Sequence, residues 1–137
     1  MKFRNHGLMR FALLLALTPS AFAMTWYVNG ASGSDNNSCQ SRQSACKTIG
    51  HAISLASAGD SIMVAAATYK ENLSITDSLN FTGAGAATTI IDGSARGSVV
   101  TIASVTAHVT VSGVTLINGA GFQGGGIYNV GNANINS

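Results

Sequence analysis

The chain has 137 residues, 9% of them charged, with 16 glycines, a single proline and a formal net charge of +2. That length holds one ordinary domain and excludes a barrel enzyme or a two-domain machine. Seven Lys and Arg residues are too few for the dense basic patch of a nucleic-acid binder.

Where the bases stand matters more than their sum. Lys2, Arg4 and Arg10 precede an apolar run over residues 11–17, which is closed by Thr18, Pro19, Ser20, Ala21, Phe22 and Ala23. A charged start, a short apolar stretch and small residues in an A-x-A arrangement predict a secretory signal peptide over residues 1–23, cleaved between Ala23 and Met24. Even counted from Leu8 the run is about ten residues, half of what a membrane-spanning helix needs. No Cys follows it, which argues against a lipoprotein anchor.

Without that leader, the bases Arg42, Lys47, Lys70 and Arg96 face the acids Asp35, Asp60, Glu71, Asp77 and Asp92, so the exported part is slightly acidic. No electrostatic case for nucleic acid or anionic lipid survives the removal. Cys39 and Cys46 lie in a polar stretch of the exported part, where an oxidising compartment makes a local disulfide the simplest reading. A metal site would want more Cys or His nearby.

Taken in order, Thr25-Trp26-Tyr27-Val28-Asn29 is β-prone and runs into an Asn29-Gly30 turn, followed by an irregular polar loop over residues 31–45. Over residues 48–58, Ile49, Ala52, Ile53 and Ala56 fall on one helical stripe, with Thr48 as N-cap and Gly59 just past the end. His51 is placed away from that stripe and reads as a solvated surface histidine.

After Gly59-Asp60 the period changes to two, with short pairs such as Ile62 and Val64, Leu73 and Ile75, Leu79 and Phe81, and Val109 and Val111, then a lone Ile90 among them. Leu79 and Phe81 recur as Val100 and Ile102, Ile90 as Val111, and Val114 and Leu116 as Ala133 and Ile135. A period near 20 with three short strands per turn is what a parallel β-helix requires. A β-sandwich competes, with Asp92-Gly93 or Asn118-Gly119 as hairpin turns. Against it, the alternation slips by one residue across Ser112-Gly113, which reads as a bend between strands and not a reversal.

Several segments carry a resemblance: Tyr27-Val28-Asn29 with Gly33-Ser34-Asp35; Cys46-Lys47-Thr48-Ile49 with Ala52-Ile53; Gly59-Asp60-Ser61-Ile62-Met63-Val64 with Thr68-Tyr69-Lys70-Glu71-Asn72; and Thr89-Ile90-Ile91-Asp92-Gly93. On these the chain resembles exported right-handed parallel β-helix proteins, the pectate-lyase-like superfamily in the broad sense. Gly124-Gly125-Gly126-Ile127-Tyr128-Asn129 is also similar to repeats of polymorphic outer-membrane and autotransporter-like surface proteins. Where relatives read Pro-Gly-Thr-Tyr this chain has Ala66-Ala67-Thr68-Tyr69, and Ala45-Cys46 stands in place of Pro-Phe.

The resemblance implies an all-β fold, a right-handed single-stranded parallel β-helix of about four coils with three short strands each. Residues 24–58 would supply a strand, a disulfide loop and a capping helix, and residues 59–137 the coils. The coils read as incomplete at Ser137, so we expect a truncated chain or a fragment of bacterial origin, able to self-associate through an open C-terminal coil.

Lyases on this fold need acids for calcium and an Arg or Lys base, and hydrolases on it need convergent carboxylates. Beyond Leu73 the only charged side chains are Asp77, Asp92 and Arg96, so no catalytic, cofactor or metal residue is named. Asp92 and Arg96 could form a surface pair, and His108 has no identifiable partner. The expectation is a non-catalytic, exported module that is secreted, periplasmic or at the cell surface, serving adhesion or binding a polysaccharide or cell-surface glycan. Tyr128 is the candidate sugar-stacking residue, and Asn118, Asn129, Asn132, Asn134 and Asn136 are expected to serve polar faces, internal stacks at corners, or turns and buried ladders. The alternative is the N-terminal part of a polysaccharide lyase or hydrolase whose catalytic residues lie outside this chain, and calcium enters under that alternative alone.

Overall fold

The computed structural model describes residues 22–136; the charged and apolar parts of the expected signal peptide, residues 1–21, lie outside the described residues. Strand β1 (Thr25–Val28) alternates, with Trp26 and Val28 buried and Tyr27 on the opposite side. No helix among the described residues is long and apolar enough to cross a membrane.

The helix expected over residues 48–58 is present as α1 (Ile49–Leu55). Thr48 is its N-cap, the hydroxyl accepting from the His51 backbone N–H at 3.2 Å. Ile49 and Ala52 are fully buried, and Ile53 and Ala56 pack against the core, so the stripe read from spacing is the buried one. The helix is shorter than expected because Ala56 is already extended, at φ −73° and ψ 151°. Gly59, at φ +93°, makes the turn towards the next strand.

There follow β2 (Ser61–Val64), β3 (Ala67–Tyr69), β4 (Leu73–Ile75), β5 (Asn80–Gly83), β6 (Thr89–Asp92), β7 (Val100–Ile102), β8 (His108–Ser112), β9 (Thr115–Ile117), β10 (Ile127–Asn129) and β11 (Asn132–Asn136). They form three sheets, ordered β1-β2-β5-β8-β11, β3-β6-β9 and β4-β7-β10, called here the first, second and third. Every pairing is parallel. From β2 onward each pass of the chain lays one strand in each sheet in the same order, and three such passes with the first strand of a fourth fall within the described residues. Among the described residues the architecture is therefore all-β and parallel, with one short helix. Hairpins are ruled out at the two candidate turns: Gly93 donates across to Ile117 O of the next pass at 3.0 Å, and Asn118 O accepts from Ala95 N at 2.7 Å.

The register corrects the equal period read from the sequence. Phe81 stacks between Ile62 and Val111, not below Val100, whose neighbours are Leu73 and Ile127. Ile135 lies on Val111, and Ala133 on Val109. In the first sheet Ser61, Asn80, Thr110 and Asn134 are vertical neighbours at uneven intervals, whereas Leu73, Val100 and Ile127 in the third sheet are evenly spaced. Loops of different length cause this. Residues 93–99 and 103–107 add turns outside the strands, with Ser94 and Ala95 in the left-handed region at φ 52° and 55°. At the paired Ile90 and Ile91 it is Ile91 that points inward, fully buried on Tyr69. Thr89 is buried with it because its hydroxyl accepts from Ala84 N at 3.0 Å.

The end where the passes begin is covered. Helix α1 packs on β1, β2 and β4. The disulfide Cys39–Cys46 is formed, both residues fully buried. Its loop pairs with the outer edge of β1: Tyr27 N donates to Cys39 O, Asn29 N to Cys46 O and Cys46 N to Tyr27 O, each at 2.8 Å. The loop thus occupies backbone groups that would otherwise template another strand.

Two predictions follow from this packing. A Cβ on Gly83 would clash with the Gly113 carbonyl oxygen, whereas one on Gly126 meets nothing within 4 Å. Gly83→Ala is therefore expected to cost about 1–3 kcal/mol in urea unfolding, and Gly126→Ala to stay within about 0.5 kcal/mol of wild type. Reducing the disulfide, which closes a short loop, should lower the unfolding free energy by about 2–3 kcal/mol, read as a lower urea midpoint in reductant.

Candidate functional site

The acidic side chains go first to structure. Asp35 accepts from the backbone N–H groups of Lys47 and Thr48 and from the Thr48 hydroxyl, all at 2.9 Å. Glu71 accepts from Ile49 N at 2.9 Å and Gly50 N at 2.8 Å, closing the first turn of α1 from the link between β3 and β4. Asp60, 4% exposed, accepts from Met24 N at 2.8 Å, Trp26 Nε1 at 2.9 Å and Ser57 N at 2.9 Å. Burial works to raise the Asp60 and Asp35 carboxyls, but these donors outweigh it and hold both below their ordinary range.

Asp92 accepts from Asn118 Nδ2 at 2.9 Å and from Ser94 N at 2.8 Å, which lower its carboxyl; Arg96 is not among these partners. Asp77 accepts from the Thr76 hydroxyl at 3.3 Å on a separate turn. Among the described residues the carboxylates do not gather into the donor set that calcium would require under the lyase alternative: Asp35, Asp60 and Glu71 accept from backbone amides, and Asp77 and Asp92 stand on separate turns. Cys39, Cys46 and His51 do lie within 4.8 Å of one another. With the two sulfurs joined, that group offers no thiolate. His51 is half-buried beside them and not fully solvated as expected.

The outer face of the first sheet is a different environment. Alternation turns Tyr27, Met63, Thr82, Ser112 and Asn136 into one vertical row, and Ser61, Asn80, Thr110 and Asn134 into the next. The Ser112 hydroxyl donates to Thr82 Oγ1 at 3.4 Å along the first row. At the β1–β2 end the face deepens into a groove of about 380 Å³, lined by Tyr27, Asn29, Arg42, Met63 and Ala66 among others. Arg42 reaches it from the disulfide loop. At the β8–β11 end lies a second hollow of about 310 Å³, lined by His108, Thr110, Asn132 and Asn134. At the usual inter-strand spacing the two are separated by about 14 Å along the stack.

Tyr128 lies elsewhere. It is half-buried on the outer face of the third sheet, in register with Thr101, which in turn is in register with Ser74. The asparagines divide between turns and the polar face, and Asn132, Asn134 and Asn136 are exposed, not stacked inside at corners. Asn118 bonds Asp92 and Asn129 Oδ1 accepts from Gly131 N at 2.9 Å, both turn work, whereas Asn132 and Asn134 line the second hollow. Tyr27 and Arg42 were not singled out by the sequence reading, although the inward Trp26 and Val28 on either side already assign Tyr27 to the outer face.

A family model described as "Protein of unknown function (DUF1565)" matches residues 31–136. The chain belongs to this family. No curated protein and no solved structure matches it. In this DUF1565 chain the matched stretch takes in Arg42, the disulfide, α1 and every strand from β2 onward, while Tyr27 on β1 precedes it.

The carboxylates set an acid limit. Folded-state values below the ordinary 3.8 mean that Asp35 and Asp60 add stability above that pH, and that it is lost as pH falls through the lowered values. Urea unfolding at stepwise lower pH should therefore show stability falling below about pH 4. Asp35→Asn should cost about 1 kcal/mol at pH 7 and make the acid limb shallower.

Proposed function

We propose that this chain is an exported, right-handed parallel β-helix module that binds polysaccharide or cell-surface glycan on the outer face of its first sheet. The right-handed winding is supported by the strong preference of strand–crossover–parallel strand connections for that hand. Export is supported by the leader-like residues 1–23 and by the disulfide, a bond that persists in oxidising compartments.

The observation that carries the binding reading is the groove at Tyr27 and Arg42, whose Tyr27 and Met63 stand in the same outward row as Thr82 and Ser112. An aromatic ring offers a flat apolar surface to the C–H face of a sugar ring. The Arg42 guanidinium fork matches a carboxylate, which favours uronic-acid-containing glycans over neutral ones. The polar rows add weak hydrogen bonds repeated along the stack, the arrangement in which a repeating polymer gains by multivalency.

A glycan array probed with the exported protein tests this. Retention on uronic-acid-containing glycans is expected, with no release of unsaturated products from polygalacturonate. Tyr27→Ala and Arg42→Ala should each weaken retention by about tenfold, ~1.4 kcal/mol, at unchanged thermal midpoint. Tyr128→Ala should leave retention as it is; a loss confined to that variant would move the site to the third sheet, and an array with no retained glycan would end the reading.

A further inference from the structure

Asp60 is buried, and among the described residues its hydrogen-bond partners are all neutral groups: an indole N–H and two backbone N–H groups. Burying a carboxylate without a counter-charge is costly even when its oxygens are satisfied. One of the three donors is the backbone nitrogen of Met24, 2.8 Å from Asp60 Oδ1, and this nitrogen belongs to the bond at which the leader is expected to be cut. Met24 is held on its other side as well, its carbonyl accepting from Ser61 N at 2.8 Å. The residues before it leave the body of the protein: Ala23 is exposed and Phe22 is 88% exposed, so the Ala23–Met24 bond lies outside the packed core.

We propose that cleavage of the Ala23–Met24 bond turns the Met24 nitrogen into the counter-ion of buried Asp60, an ion pair that locks β1 onto β2 in the processed chain. The inference rests on the export reading. Hydrolysis by a signal-peptidase-type endopeptidase adds one water across the amide. Its oxygen completes the Ala23 carboxylate, which leaves with residues 1–23, and the Met24 nitrogen stays behind as an α-ammonium. The hydrogen bond to Asp60 Oδ1 becomes charge-assisted, and no side chain has to move to form it. A carboxylate held by neutral donors in the precursor becomes half of a partly buried ion pair in the product. Among the described residues, the titratable groups on the segments packed here are Tyr27 on β1, His51 on α1, Glu71 at the first turn of α1, and Asp77 beside Ser78, whose carbonyl accepts from Gly59 N; none of them is among the hydrogen-bond partners of Asp60.

The test uses the full precursor, expressed in an exporting bacterium, and the product purified from it. Intact mass should show a chain beginning at Met24; any other N-terminus overturns the cleavage step while leaving the glycan reading to its own array. The α-amine is then titrated by competitive acylation and mass spectrometry of the N-terminal peptide. Its midpoint should lie at least about one pH unit above the usual α-amino range of about 7.7–8.0, and return to that range in urea. Asp60→Asn, where it folds, should abolish the rise in the native protein. An amine that titrates in the ordinary range in the folded wild type overturns the ion pair, whatever the variant does.

Discussion

Parallel register is the constraint on which the rest of this chain depends. Each pass must set its inward side chains on those of the pass beneath, so that Trp26, Ile62, Phe81 and Val111 form one continuous row inside the first sheet. A slip of one residue would send such a row outward and its polar neighbours inward. Burying each of these side chains is worth about 1.5–3 kcal/mol, whereas doubling the length of a connecting loop costs about 0.6 kcal/mol. Register therefore wins over loop length, and the loops are free to differ while the strands are not. The uneven intervals of the first sheet beside the even intervals of the third are the visible result.

A stack of this kind is self-supporting along its length and vulnerable at its ends, and the first end is closed by polar chemistry. The disulfide loop takes the backbone groups of β1, α1 lays Ile49 and Ala52 over the apolar cross-section, and Asp35, Glu71 and Asp60 anchor the two. The carboxylates of the cap are thus hydrogen-bond acceptors for amides that the helix start and the chain start would leave orphaned. The body of the stack, by contrast, is held by apolar rows with few charged groups. Acid and reductant act on the cap, and cavity-forming substitutions on the stack.

What could be read from the sequence divides along the same line between local and distant causes. The stripe of Ile49, Ala52, Ile53 and Ala56 and the Thr48 cap are local, and both were legible. So were the change of period at Gly59-Asp60 and the bend at Ser112-Gly113, which weighed against hairpins that the cross-pass bonds of Gly93 and Asn118 then ruled out. The register was not, because it depends on loops whose lengths carry no periodic signal, and equal spacing in sequence put Phe81 under the wrong neighbour. Ile90 and Ile91 are indistinguishable by alternation alone; the Tyr69–Ile91 contact across the stack and the Thr89 hydroxyl bond decide between them. Glu71 gave no local sign of capping a helix that begins so far before it. Tyr27 was legible as an outward residue, but its meaning came from Arg42, which only the closed disulfide loop brings to the same groove.

That last pairing bears on how a face of weak polar contacts could acquire a preferred end. Outward side chains contribute little to the inward rows, so the ladder of Ser, Thr and Asn is close to uniform along the sheet and by itself offers a glycan no fixed starting point. The groove breaks that uniformity, because it exists where the β1 edge is covered by a loop instead of another strand. A covering strand would continue the flat sheet; the loop stands beside it and places a guanidinium near an aromatic ring. The device that protects the edge from pairing is thus also what gives the face its concave, charged end. In the proposed binding role, cap integrity and ligand preference are then properties of the same loop.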